Sequence, residues 1–149
     1  MVRINIYEVM IVEIRPYTKM DASEVNVLWS EVFPEETSFK DPDHELQNNI
    51  HTQRNLFLVA RTETTLAGVI IGSFDGDHGW MHYLAVWPQF RRLGVASKLT
   101  QALETELLHL GCNKIRLQVN SNHHDIIKFY QGHEYHLAKT VTLEKKLSL

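Results

Sequence analysis

The residue pattern offers its clearest chemistry to an anion. Arg91-Arg92-Leu93-Gly94-Val95-Ala96 joins a strand-like run, residues 80–86 closed by Trp87-Pro88, to a long helical pattern that stops at Gly111. The first turn of a helix carries N–H groups without intrahelical partners, so a strand delivered into a helix start makes an anion cradle. Cations at that end of a helix cost roughly 0.3–1 kcal/mol each. Two arginines placed there therefore imply a negative group to hold. Gly94 and Ala96 leave one face of the turn nearly bare, so a phosphate oxygen can reach the N–H groups of Gly94, Val95 and Ala96. The competing reading is a solvated basic turn that happens to contain a glycine.

A second chemistry-bearing position lies on the preceding strand. His82 titrates near neutrality when unperturbed, which suits a general base. Strict alternation puts Trp80, His82 and Leu84 on one face and Met81, Tyr83 and Ala85 on the other. Glu35, Glu36 and Asp75 are alternative bases acting through water, because loops at a pocket mouth commonly supply acceptors. Cys112 follows a helix C-terminus, where the dipole does not favour a thiolate, and reads as structural. His123, His124, His133 and His136 lack the compact spacing of a zinc helix, and the short Asp75-Gly76-Asp77 stretch lacks a calcium loop's ligand series. No metal is expected.

These groups sit in a chain of 149 residues, a size that suits one folded domain with a real core. Hydrophobic residues make up 44% and the net charge is -3, the profile of an ordinary globule and not of a dedicated nucleic-acid binder. The single cysteine excludes an internal disulfide framework and fits a reduced, cytoplasmic setting. No apolar run is long enough to span a membrane. Residues 1–10 lack the pattern of a signal peptide and read as an N-terminal arm or extra edge strand before a single domain over residues 11–149.

The positioning elements follow from periodicity. Residues 11–16 read as a strand. Asp21 and Glu24 form a capping-box pattern opening a helix with Val25, Leu28, Trp29 and Val32 on its apolar face. Asp41-Pro42 starts a short helix toward His51. Residues 56–61 and 66–74 predict an antiparallel hairpin, and the loop 75–79 leads into the strand at Trp80. The helix after Arg92 carries Val95, Leu99, Ala102, Leu103, Glu106, Leu107 and Leu110 as its buried stripe. Residues 114–119 read as a strand parallel to 80–86, because a crossover helix joins them. A short helix holding Ile126, Ile127, Phe129 and Tyr130 and two final strands, 135–137 and 140–147, complete an α/β order of β-α-α-β-β-β-α-β-α-β-β.

This arrangement resembles the GCN5-related N-acetyltransferase (GNAT) family over nearly the whole chain from Ile11. Residues 84–96 are similar to the family's strand, Val-x-Pro step and Arg/Gln-x-x-Gly-x-Gly/Ala motif, and Phe129-Tyr130 to its second signature. Phe74-Asp75-Gly76 and the Gly-Cys-x-Lys-Ile step at residues 111–115 resemble small bacterial members of unassigned substrate. A weaker likeness points to ribosomal-protein N-terminal acetyltransferases. The resemblance implies a mixed, mostly antiparallel sheet with helices on both faces and a splayed parallel pair at the cofactor. It implies acetyl-CoA held by Leu84, Ala85, Val86, Arg91, Arg92, Leu93, Gly94, Val95, Ala96, Asn122, His123 and Tyr130. Backbone N–H near Ala85 or Val86 would serve the thioester carbonyl, and Tyr130 would protonate the departing thiolate. Two departures stand out: His123 occupies the family's usual asparagine, and His133-Glu134-Tyr135 replaces its Leu-Gly-aromatic ending.

The implied reaction is transfer of acetyl from acetyl-CoA to a primary amine by direct attack in a ternary complex. Carboxylates at Glu31, Glu35, Glu36, Asp41, Asp43, Asp75 and Asp77, against Lys40, favour a cationic acceptor, with Glu35, Glu36 and Asp75 nearest the substrate. Neither nucleic acid nor membrane is an expected partner, and a homodimer is compatible with this reading. The alternative is an acyl-CoA sensor or interaction module with weakened catalysis. A Rossmann dehydrogenase is disfavoured, because Gly94 lies outside any Gly-x-Gly-x-x-Gly set.

Overall fold

The computed structural model describes residues 12–34, 42–48 and 53–148. The N-terminal arm and the positions Glu35, Glu36, Phe39, Lys40, Asp41, Ile50 and His51 lie outside the described residues. The chain forms two compact units, one ending at Leu117 and one beginning at Gln118.

The first unit is built on five strands in the order β1-β2-β3-β4-β5. They are β1 (Glu13–Pro16), β2 (Phe57–Arg61), β3 (Leu66–Phe74), β4 (Gly79–Val86) and β5 (Ile115–Arg116). The first four run antiparallel to their neighbours, and β4 pairs with β5 in parallel. Helix α1 (Ala22–Val32) covers one face and α3 (Val95–His109) the other; the short α2 (Pro42–Asn48) follows α1.

The α1 face is closed by Val25, Leu28 and Trp29 against Phe57, Val59, Val69, Ile71 and Ala85. Burial of each such side chain stabilises the fold by about 1.5–3 kcal/mol. On the α3 face the contact is close enough to require glycine. A Cβ at Gly72 would lie 2.7 Å from Leu103 Cδ1, and one at Gly68 2.8 Å from the Ala85 carbonyl oxygen.

Helix α1 departs from the sequence expectation at its start. The Asp21 side chain does not cap it. Asp21 instead closes a capping box with Thr18 one turn earlier and accepts from Arg15 at 2.8 Å and from Arg61 at 3.2 Å. Glu24 accepts from the Leu66 N–H at 3.2 Å and pairs with Arg61 at 3.0 Å. Two arginines on neighbouring strands compete for these carboxylates, and charge-assisted bonds are stronger than a cap.

Helix α3 ends as expected, with Gly111 at φ +89. The Cys112 N–H reaches the Leu107 carbonyl at 3.1 Å and the Gly111 N–H that of Leu108 at 3.0 Å, a Schellman closure. Leu110, assigned to the buried stripe from the sequence, lies beyond the last helical turn and is exposed.

The second unit contains α4 (His124–Gln131). The strand foreseen over residues 114–119 is limited to Ile115–Arg116, and the segments 135–137 and 140–147 form no strand. Leu137, Val141, Leu143 and Leu147 are exposed. Alternation prepares a strand, but only a partner edge supplying hydrogen bonds makes one.

Candidate active site

Strand β4 carries most of the candidate site residues, and a defect in it decides which side chains meet. Its pairing with β3 runs from Phe74↔Gly79 to Ile71↔His82, then resumes at Val69↔Ala85 and Gly68↔Val86. Tyr83 and Leu84 thus stand opposite the single residue Ile70, which is a β-bulge. Tyr83 takes φ +50, a left-handed conformation that is uncommon for an aromatic residue.

The extra residue resets the alternation. His82, paired with the core residue Ile71, faces α1. Tyr83 also turns to that side, its ring 5.8 Å from Trp29 and 5.9 Å from Phe33. Ala85 follows into the same cluster. The expectation that Tyr83 and Ala85 oppose His82 is therefore corrected.

Among the described residues, the other edge of β4 is paired with a strand over only a small part of its length. Pairing with β5 stops at Gly79↔Ile115 and Trp80↔Arg116. At its far end the Trp87 N–H turns to β3, donating to the Ala67 carbonyl at 3.0 Å. By the two-residue period of a strand, the Ala85 N–H points to β3 as well and the Val86 N–H points to the other edge. Of the two amides expected to serve an acyl group, Val86 is the one aimed away from the sheet.

Beyond β4, the turn at residues 91–94 leads into α3. Gly94 is the N-cap at φ +86, with no side-chain cap, and the first helical bond runs from Lys98 N–H to the Gly94 carbonyl at 3.0 Å. The Val95 and Ala96 N–H groups precede that bond. A Cβ at Gly94 would meet nothing within 4 Å, so the space above the helix start is open. Arg91 Nε donates to the Val86 carbonyl at 3.2 Å, drawing the guanidinium back to the end of β4. Arg91 and Arg92 are exposed, Arg92 at φ +62, while Val95 is buried and Leu93 half-buried. An open, cationic helix start with a capless glycine fits a phosphate group.

His82 is half-buried, and burial lowers its pKa below the ordinary histidine value. Its Nε2 lies 3.1 Å from Ser73 Oγ. Ser73 was missed by sequence reasoning, although it is the sole hydroxyl in the apolar run of β3. Asp75, foreseen near the acceptor, lies at the opposite end of β4 from the Gly94 turn, roughly 20 Å away along the strand. Its Oδ1 accepts from the Asp77 and His78 N–H groups at 2.8 and 2.7 Å, building that tight turn. Asp77 pairs with His78, and Asp43 accepts from the Tyr17 hydroxyl at 2.9 Å. Among the described residues no group of three His, Cys, Asp or Glu could hold a metal ion, and no helix is long and apolar enough to cross a membrane.

In the second unit, Tyr130 is buried, its ring 5.1 Å from Phe129 and 5.3 Å from Tyr135. Burial pushes its pKa well above that of an ordinary tyrosine, so the phenol keeps its proton. Asn122 and His123 are exposed in the turn leading to α4, where Asn122 N–H donates to Asn120 Oδ1 at 3.0 Å.

A bulged strand leads into a glycine-capped helix start, and comparisons with known proteins identify the family to which this fold belongs. The sequence model of the acetyltransferase (GNAT) family matches residues 22–135. An acetyltransferase of Pectobacterium atrosepticum is 34% identical over 91% of this chain and 95% of its own. One of Yersinia enterocolitica is 33% identical with the same coverage. The solved structure of an aminoglycoside N-acetyltransferase, AAC(6')-Iy, bound to a CoA–acetylneamine bisubstrate analogue superposes with a TM-score of 0.76 at 18% identity, covering 92% of this chain and 99% of that one. The chain belongs to the GNAT family and is an acetyl-transferring enzyme.

Proposed function

We propose that this chain transfers the acetyl group of acetyl-CoA to a primary amine by direct attack in a ternary complex. The observation that carries the reading is the sequence of features along and after β4: an edge unpaired with β5 past Trp80, a bulge at Tyr83 and Leu84, and a glycine-capped helix start. The Val95 and Ala96 N–H groups, with Arg91 and Arg92, would hold the pyrophosphate, and Leu93 would seat the turn. Leu84, Ala85 and Val86 would flank the acyl arm, and the Val86 N–H would donate to the thioester carbonyl oxygen. Asn122 and His123 are assigned to the cofactor by family likeness alone.

Acetyl-CoA supplies the activated thioester. The neutral amine forms the new C–N bond as the C–S bond breaks. His82 takes the proton the nitrogen sheds, and Tyr130 gives one to the departing sulfur. A His82 held neutral by burial suits the first task, and a phenol that keeps its proton suits the second. Asp75 remains an acceptor-side candidate through its exposed carboxylate, and Glu35 and Glu36 through their sequence position. Support for a cationic amine comes from the aminoglycoside-acetylating structural neighbour. The test is mass detection of acetylated product after incubation with acetyl-CoA and a panel of polyamines, aminoglycosides and peptides. We expect transfer to primary amines; turnover confined to acceptors with several negative charges would refute the assignment.

A further inference from the structure

We infer that Ser73 is a positioning residue for His82, holding the imidazole so that Nδ1 presents its lone pair to the acceptor amine. The inference rests on the proposed role of His82 as base. Ser73 is only 6% exposed and sits on β3, two residues beyond Ile71, the partner of His82. It is therefore the diagonal neighbour of His82 on the α1 face, and Oγ lies 3.1 Å from Nε2. The next residue, Tyr83, is locked in its left-handed conformation by packing against Trp29 and Phe33. Strain of this kind costs about 1–3 kcal/mol and persists only where the surroundings enforce it. The ring is thus fixed from both sides, by the bulge behind it and the hydroxyl at its far nitrogen.

The chemistry of a hydroxyl matters here. When Nε2–H donates to Ser73 Oγ, Nδ1 is left unprotonated and able to accept. Nδ1 has no hydrogen-bond partner among the described residues, and it is not among the polar atoms sealed from solvent without one. It therefore keeps some contact with solvent. As Nδ1 takes the proton, Nε2–H still donates to the same oxygen, so the pair needs no rearrangement. A carboxylate at position 73 would also accept from Nε2–H, but its charge would favour the imidazolium and blunt the base. The neutral hydroxyl orients without charging.

The decisive measurement is nitrogen NMR of the histidine side chains at about pH 8, above the ordinary histidine range, with the His82 signal assigned by its loss in His82→Gln. We expect protonated Nε2 and bare Nδ1 in the wild type. Ser73→Ala should mix the tautomers and lower kcat by roughly 10-fold to 10²-fold with KM for acetyl-CoA unchanged. Ser73→Thr, which keeps the hydroxyl and suits a strand, should restore most of the loss. A wild-type proton on Nδ1 overturns the inference, as does Ser73→Ala with wild-type kcat and unaltered ring signals. A wild-type chain that acetylates no amine overturns instead the reading beneath it.

Discussion

Replacing Gly94 by aspartate tests the anion turn at the atom where it is most exposed to refutation. Gly94 has φ +86, and its missing Cβ would meet no protein atom within 4 Å. The folded state therefore bears only the left-handed backbone penalty, about 1–2 kcal/mol. An aspartate at the N-cap returns only about a few tenths of a kcal/mol relative to glycine. The net loss of about 1–2 kcal/mol corresponds to roughly 3–6 °C in Tm for a chain of this size. Binding should respond far more. A carboxylate about 4 Å from a phosphate repels it by about 4 kcal/mol at an effective dielectric of about 20, and it competes for the same N–H donors. That is about a 10³-fold weakening of acetyl-CoA affinity. Calorimetry on the folded variant measures it directly. Gly76→Asp is the matched control, because Gly76 has φ +94 and equally open space but lies at the other end of β4. It should carry the same strain and leave affinity unchanged. Wild-type affinity in Gly94→Asp, or an equal loss in Gly76→Asp, would remove the cradle assignment.

Two further expectations bear on catalysis and on the frame that supports it. Tyr130→Phe should lower kcat by about 10²-fold in steady-state assays while cofactor affinity holds, and wild-type turnover would return Tyr130 to a packing role. Acid titration of stability should report on Asp21, which is 1% exposed. Burial pushes its carboxyl up, but the hydrogen bonds from Arg15 and Thr18 and the charges of Arg15 and Arg61 outweigh it and leave its pKa lowered. A lowered folded pKa stabilises the fold fully above the unfolded value and loses that contribution as pH falls through the folded one. Urea midpoints should therefore drop below about pH 4 in the wild type and show less of this acid loss in Asp21→Asn; parallel acid profiles would exclude Asp21 as the source.

Most of the sheet and its helices could be read from local pattern, because each element buries a face it also encodes. The hairpin of β2 and β3, helix α1 with Val25, Leu28 and Trp29 inward, and the Gly111 stop all follow from periodicity and backbone chemistry. What escaped was set by competition between distant groups. The Asp21–Glu24 cap pattern is a local bargain, and nothing local reveals that Arg15 and Arg61 converge on the same carboxylates. Residues 140–147 show the reverse case, since alternation specifies a face but does not supply the edge that would pair with it.

The site was less legible than the fold, for a reason that lies in one residue. Sequence fixes alternation only while the ladder is unbroken, and the bulge at Tyr83 adds a residue that no propensity scale marks. That single insertion brings Ala85 to the face of His82, and the period then leaves Val86, and not Ala85, with its N–H toward the edge that β5 abandons. The helix start at Gly94 was readable because a glycine acts through its own backbone. The His82–Ser73 contact was not, because it depends on strand register across a hairpin. Register, which converts a list of residues into a geometry, decides which side chains of the candidate site meet.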